Sequence, residues 1–301
     1  MDTVNYSIII PHYSIPDLLL RCLRSVPQRD DVEIIVADDC SENFAICAEQ
    51  FKAEFADRRI IFCSTDKHSG PGAARNKGLN NASGKWIVFT DADDFFSNET
   101  DEIFDVCANR AEDILFFRYR VVMSDDINMP ASDYAYEDIL EQYSKNHNDQ
   151  SLRYRHYSVC GRLIKRSFIE NNRIRFDERY HGEDLLFAVK MGHLCGSLDV
   201  LPYCLDVITS RPGSLSRSWD TWGDWYNQFF PAHIIAMHYL HKYGVKAIDK
   251  YVYGKLLTIM KSDRHTFRKM YRLLTLKEKA VFRLFLLRHS FFLCIKRGFK
   301  R

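Results

Sequence analysis

The chain contains no C-x-x-C pair, no zinc-type spacing of cysteine and histidine, and no uncharged apolar run of 18 residues. It also lacks internal repeats and low-complexity linkers. Without paired cysteines, neither a disulfide framework nor a structural zinc site is expected. Its nine cysteines are an odd number and several lie inside apolar runs, so reduced, mostly buried thiols in a cytosolic protein are expected. No stretch is long enough to read as a membrane-spanning helix. The start carries Asp2 and no basic-plus-apolar leader, so secretion is not expected. The G-x-x-x-x-G-K-[ST] order is missing as well, which removes the P-loop as a way of holding phosphate.

The net charge of +2 over 301 residues conceals a division. Residues 241–301 hold 17 Lys and Arg against three acids, while residues 1–240 hold 25 basic and 37 acidic side chains. An acidic body is joined to a basic tail.

The body opens with alternating strand and helix patterns. Apolar runs at 7–10, 33–37, 60–63 and 85–90 read as strands, the first stopped by Pro11. Ser14, with Pro16 and Asp17 behind it, resembles a helix start. Ser41 can cap a second helix to about Phe55, and a glycine-broken loop leads to a third near 72–81. Strands recurring every 25–30 residues with helices between them predict right-handed βαβ crossovers and a mostly parallel sheet. All the strand ends then lie on one edge. Residues 101–220 are less regular and richer in Tyr, Arg and Asn, and after Trp219 the pattern is helical. The expected division is 1–100, 101–220 and 221–301.

Chemistry concentrates at that edge. The strand at 85–90 ends in Asp91-Ala92-Asp93-Asp94, three carboxylates in four residues. They repel one another unless a cation or solvent screens them, and hard oxygen ligands suit Mg2+ or Mn2+ bridged to phosphate. An acidic surface turn is the competing reading. Asp38-Asp39 ends the second strand and either binds a ligand or caps the next helix. Gly70 and Gly72 permit close backbone approach, and the helix beginning there aims its N–H groups toward a phosphate. Arg75, within the first turn, can reach that phosphate or order the Asp91 cluster. Glu183 and Asp184 follow Gly182 and project about 100° apart on a helix.

In order and spacing these motifs resemble the nucleotide-binding half of family 2 glycosyltransferases, the inverting group with a GT-A fold. The matching segments are Ser7–Ser14, Val36–Ser41, Ser69–Leu79 and Phe89–Asp94. Further on, Gly182-Glu183-Asp184-Leu185-Leu186-Phe187 resembles that family's G-E-D-x-x-F segment, and Arg211–Ser216 resembles a basic, Ser-rich segment that follows it. The resemblance implies an α/β GT-A domain with a Rossmann-like, mixed and mostly parallel sheet, carrying here a C-terminal helical, basic extension. It implies transfer of a sugar from a nucleotide-sugar, a UDP-sugar above all, to a polysaccharide or lipid-linked oligosaccharide in a bacterial setting. Asp93 would be the direct ligand of Mn2+ or Mg2+, with Asp91 nearer the ribose or a metal-bound water. Asp39, Asp38 and the Pro11–Tyr13 turn would line the base pocket, and Gly72, Arg75, Ala92 and Arg211 would serve the rest of the nucleotide-sugar. Asp184 would be the general base, and Glu183 would orient acceptor or pair with an arginine.

The tail, residues 264–301, mixes basic residues with an apolar block covering more than half of a helix. It fits a helix lying in an anionic membrane interface, or one packing on the acidic body or across a dimer. A cytoplasmic chain, peripheral on the inner face of the membrane, is the expectation. Nucleic-acid binding is not expected, since no recognised fold accompanies the charge; homo-oligomerisation is left open. Trp219, Trp222 and Trp225 form a helical stripe read as packing. Two other classes stay in play: a nucleotidyltransferase, and a non-catalytic module that binds sugar nucleotide or scaffolds a membrane assembly.

Overall fold

A computed structural model describes residues 3–131, 136–179, 181–211, 227 and 229–298, with side chains to 287. The Trp219, Trp222 and Trp225 stripe, the serines after Arg211 and the last three residues fall outside that set. Two compact units are present, Met1–Ser218 and Trp219–Arg301.

The first unit begins β1 (Tyr6–His12), α1 (Pro16–Ser25), β2 (Val32–Asp38), α2 (Phe44–Glu54), β3 (Arg59–Ser64), α3 (Pro71–Asn81) and β4 (Trp86–Phe89). It continues β5 (Phe95–Phe96), α4 (Thr100–Cys107), β6 (Ile114–Met123), α5 (Glu137–Asn146) and α6 (Gln150–Arg155). It ends β7 (Arg162–Lys165), α7 (Arg166–Asn171), α8 (Glu183–Leu194) and β8 (Leu198–Ser210). The strands form one eight-stranded sheet in the order β3-β2-β1-β4-β7-β6-β8-β5. The four strands read from sequence run parallel to one another, with β1 between β2 and β4. β7 runs antiparallel to both β4 and β6, and β6 pairs parallel with β8.

Successive strand side chains point to opposite faces, and each face has its own core. Ile8, Ile10, Val36, Val88 and Leu115 pack against α1, α2 and α4. Ile9, Ile35, Phe89, Ile114 and Ile164 pack against α3, α7 and α8. Continuous apolar runs, rather than alternating ones, are what two covered faces require.

Several local expectations are corrected. Pro11 does not stop β1; the strand runs through it to His12, pairing Pro11 with Ala37. Residues of Ile9's parity face β4, since the Ile9 carbonyl accepts from Thr90 N at 3.3 Å. β4 has ended by the level of Pro11, so its missing N–H deprives no partner. Ser14 does not cap α1, whose N-cap is Ile15, without a side-chain cap bond. Ser41 does not cap α2, which starts three residues later behind Asn43; its hydroxyl donates to Asp38 Oδ1 at 2.6 Å.

The second unit contains α9 (Phe230–His241), α10 (Asp249–Ser262), α11 (Arg264–Leu273) and α12 (Leu276–Gly298). Phe230, Met237, Leu240, Val252, Leu256 and Phe282 are buried within it. Among the described residues no helix is long and apolar enough to cross a membrane.

At the amino end of the parallel strands, buried Glu33 accepts from Ser7 Oγ at 2.6 Å, Ser83 N at 2.6 Å and Ser83 Oγ at 2.9 Å. It ties β1, β2 and the turn into β4 together. Glu33→Leu strands those donors and is expected to destabilise the fold by about 1–3 kcal/mol. Glu33→Gln, which keeps an acceptor, costs less, as read from urea midpoints.

Candidate active site

The site is built at the carboxyl ends of β1, β2 and β4, where open α/β sheets place ligands. Its centre is Arg75. Proline and glycine open α3 at Pro71 and Gly72, setting Arg75 on the second turn, 5% exposed. Gly72 is required by contact. A Cβ there would stand 2.2 Å from the Asp177 carbonyl oxygen and 3.0 Å from Glu183 Cβ, so only glycine lets α3 lie this close to the chain entering α8.

The Arg75 guanidinium lies over the Phe176 ring at 5.4 Å and reaches two acids with two nitrogens. Nη2 meets Asp91 Oδ1 at 2.7 Å and Nη1 meets Glu183 Oε1 at 2.8 Å. One cation thus joins the acid turn after β4 to Glu183, the first residue of α8, which lies 108 positions beyond Arg75 itself. Burial opposes its charge, and the Asp91 and Glu183 carboxylates more than offset that, raising its pKa.

Asp184, next on α8, is half-buried. Burial first, then the Glu183 carboxylate, push its carboxyl up to about 7; Arg75 opposes them and Asp91 adds to them. A carboxyl titrating near neutrality at this edge has the property of a general base.

In the acid turn Ala92 is buried and Asp93 pairs with Arg211 Nε at 2.9 Å through Oδ2. Burial and the neighbouring Asp91 raise the Asp93 pKa, while Arg211 lowers it. Asp94 points away from the edge: its Oδ1 accepts from Thr209 N at 2.6 Å, anchoring the turn on β8, and burial with Asp91 and Asp93 pushes it well up. Asp94 caps no helix, since β5 follows it directly.

At the β1 and β2 ends, Asp38 is 1% exposed and both its oxygens are committed, to His12 Nδ1 at 2.8 Å, Ser41 Oγ at 2.6 Å and Ser41 N at 2.7 Å. Burial raises its pKa, but those bonds outweigh burial and leave it below the ordinary value. Asp39, 2% exposed, accepts from Ser69 N at 2.9 Å, Gly70 N at 2.6 Å and Thr65 Oγ1 at 3.0 Å. The first aspartate shapes the β2–α2 turn and the second holds the loop leading to α3. Pro11 is buried in β1, and Tyr13, half-exposed, stacks on His68 with centroids 4.0 Å apart.

The structure therefore gathers Arg75, Asp91, Glu183 and Asp184 in one cluster and Asp93 with Arg211 beside it. Tyr13 and Asp39 meet at His68, whose Nδ1 is 2.8 Å from Asp39 Oδ2. Three participants were not read from sequence. Arg21 on α1 donates to the Asp93 carbonyl and to the Ser124 carbonyl at 3.0 Å. Thr209 Oγ1 also donates to the Asp93 carbonyl, at 2.7 Å. Asp206 on β8 is fully buried, accepts from Gly161 N at 2.5 Å, and is pushed up to about 7 chiefly by burial. Thr209 and Asp206 lie in β8, a strand not read from sequence, where lone polar residues inside an apolar run were the available signal; Arg21 lies on α1, which was read, but nothing local marks its distant partners.

Among the described residues, no group of three or more His, Cys, Asp or Glu is arranged to hold a metal. Asp91 and Asp93 each pair with a different arginine through one oxygen, and the Asp93 pKa is raised by burial first and by the negative charge of Asp91 second. That charge suits a cation whose remaining ligands are phosphate oxygens and water, a common way of holding Mg2+.

The chain belongs to glycosyl transferase family 2, whose family model matches residues 7–173, a span that takes in the strand-end acids and α3. The succinoglycan biosynthesis protein ExoO of Rhizobium meliloti is 25% identical over 229 residues, 69% of this chain and 62% of ExoO. The GalNAc(5)-diNAcBac-PP-undecaprenol beta-1,3-glucosyltransferase of Campylobacter jejuni is 26% identical over 187 residues, 62% of this chain and 59% of that protein. The chain thus spans less than two thirds of either relative. In fold it matches the crystal structure of S. aureus TarS 1–349 in complex with UDP-GlcNAc, with a TM-score of 0.65 at 19% identity, covering 92% of this chain and 78% of that one.

Arg75→Met leaves Asp91 and Glu183 facing each other with no cation between them, and is expected to cost about 3–5 kcal/mol in chemical denaturation. Adding Glu183→Leu to that variant should restore part of the loss.

Proposed function

We propose that this chain is an inverting glycosyltransferase, moving a hexose or N-acetylhexosamine from a UDP-sugar to a polysaccharide or lipid-linked saccharide. The observation that carries the reading is the Arg75 bridge. It sets the acid turn that would face a diphosphate beside Asp184, a carboxyl titrating near neutrality. The relatives support the acceptor class, one being a succinoglycan biosynthesis protein and another a glucosyltransferase named for an undecaprenol-linked saccharide. The TarS complex with UDP-GlcNAc supports the donor class.

In this reading the donor lies across the carboxyl ends of β1, β2 and β4. The Tyr13–His68 stack flanks the base, with Asp39 beneath it. The N-terminus of α3 and Arg211 face the diphosphate, while Arg75 holds Asp91 in place. Asp91 and Asp93 would hold Mn2+ or Mg2+, whose chemistry when bound is Lewis-acid stabilisation of the charge developing on the leaving diphosphate. Asp184 takes the proton from the attacking acceptor hydroxyl, and Glu183, locked to Arg75, fixes where α8 begins. Inversion needs one such carboxylate, on the face opposite the leaving group.

The sign of the pH dependence follows from Asp184. Its pKa is raised, so the carboxylate, the form that accepts a proton, fills as pH rises through about 7. Release of UDP per acceptor glycosylated should climb over that interval. By the same shift, Asp184's contribution to stability is greatest below about pH 4 and is lost toward pH 7. Asp184→Asn is expected to lower turnover by about 100-fold to 10,000-fold while nucleotide-sugar binding in calorimetry stays nearly intact; a variant keeping a tenth of the rate would refute the assignment.

For the metal, UDP binding should tighten when Mn2+ or Mg2+ is added and relax with EDTA. Asp93→Asn should abolish that gain.

A further inference from the structure

On the second unit, we propose that α11 and the first half of α12 form a docking surface for an anionic phospholipid bilayer, lying on it rather than crossing it. Leu276, Ala280, Leu284 and Leu287 recur at spacings of four, four and three, which brings them within an arc of roughly 80° on one helix face. That face is open: Leu276 is 87% exposed, Leu284 59% and Leu287 68%. The opposite face of α12 carries Glu278 and Phe282, both buried, so the helix already has an inner side and the leucines are not its core face.

Charge decides what covers the stripe. Lys277 and Arg283 flank it on either side, and Arg264, Arg268, Lys269 and Arg272 are exposed on α11 just before it. The acids in this stretch are already committed. Asp263 caps α11, accepting from His265 N at 2.8 Å and Thr266 N at 3.1 Å. Glu278 is buried and faces His238 Nε2 and His241 Nδ1 at 2.8 Å each, while also accepting from Thr275 N at 2.8 Å. The exposed surface of 264–287 therefore presents six cations, no acid and a row of leucines. An uncharged protein groove would match the leucines but leave the cations unanswered, and a nucleic acid would match the cations but leave the leucines wet. An anionic bilayer interface answers both, because leucines enter the acyl boundary while lysine and arginine reach lipid phosphates. No helix among the described residues has the length and apolarity to span, which fits a surface-lying element.

The test uses the full chain and vesicles, with no sugar substrate, so its outcome is independent of whether sugar transfer is found. The chain is expected to sediment with phosphatidylcholine vesicles containing phosphatidylglycerol, to stay in solution with pure phosphatidylcholine, and to be released by salt. Lys277→Gln with Arg283→Gln should lower the partition coefficient by about 30-fold. Leu284→Ser with Leu287→Ser should lower it by on the order of 100-fold while every cation stays in place. Circular dichroism of both variants checks that the helices persist. Failure of the parent chain to bind anionic vesicles at low salt, equal binding to neutral ones, or indifference to both double variants overturns the proposal. So does self-association in light scattering that the leucine variant dissolves without any vesicle binding, since a second copy would then be what covers the stripe.

Discussion

At the carboxyl edge of the sheet, the acid turn and the start of α8 are tied together by one buried cation. Arg75 holds Asp91 and Glu183 at 2.7 and 2.8 Å, adding a charged link to segments that Phe89 and Phe187 already bring together by packing. Remove its charge and the acid turn has only Arg211 to relieve it, while α8 starts with a buried carboxylate that faces Asp91 with no cation between them. Such a bridge contributes little net stability against an apolar alternative, because desolvating three charges offsets most of the attraction. Its value lies in position. The guanidinium is a rigid fork, and two acids in fixed directions determine where the next residue, Asp184, can stand.

The same economy recurs in the aspartates at the end of β2. Asp38 and Asp39 are adjacent and nearly invisible to solvent, yet they organise different things, one the turn into α2 and the other the loop into α3. Their oxygens are largely committed before any ligand arrives. A loop fixed in advance loses less entropy when a ligand binds than one that must be ordered.

Much of this was legible in the sequence, for identifiable reasons. β1, β2 and β4 were readable because they are covered on both faces and so appear as apolar runs, and the half-covered edge strand β3 still shows a short one. The strand-then-acid pattern at 86–94 located the edge correctly. β6 and β8 were not read. Register shifts between Phe116 and Tyr119 break the alternation that would betray a strand, and β8 carries Pro202 and the buried Asp206 inside its 13 residues. With those strands went Thr209 and Asp206, and Arg21, though on a helix that was read, escaped for the same reason: all three roles exist only through contacts across more than 40 positions of sequence. The helix starts failed differently. Ser14 and Ser41 are good caps by residue type, but Asp38 captured Ser41, and Ser41 in turn accepts from Ser14 N at 2.8 Å.

Glycine at position 72 has a consequence for how the molecule comes together. α3 holds two glycines and three asparagines in eleven residues, and each glycine costs on the order of 1 kcal/mol of helix propensity relative to alanine. Gly78 rests on Ile9 as tightly as Gly72 rests on the chain before α8, so both are there for fit and neither for helicity. A peptide of that composition has no helical life of its own. Its helical form therefore rests on packing against β1, β2 and α8, and the edge it helps to build is only as firm as those contacts.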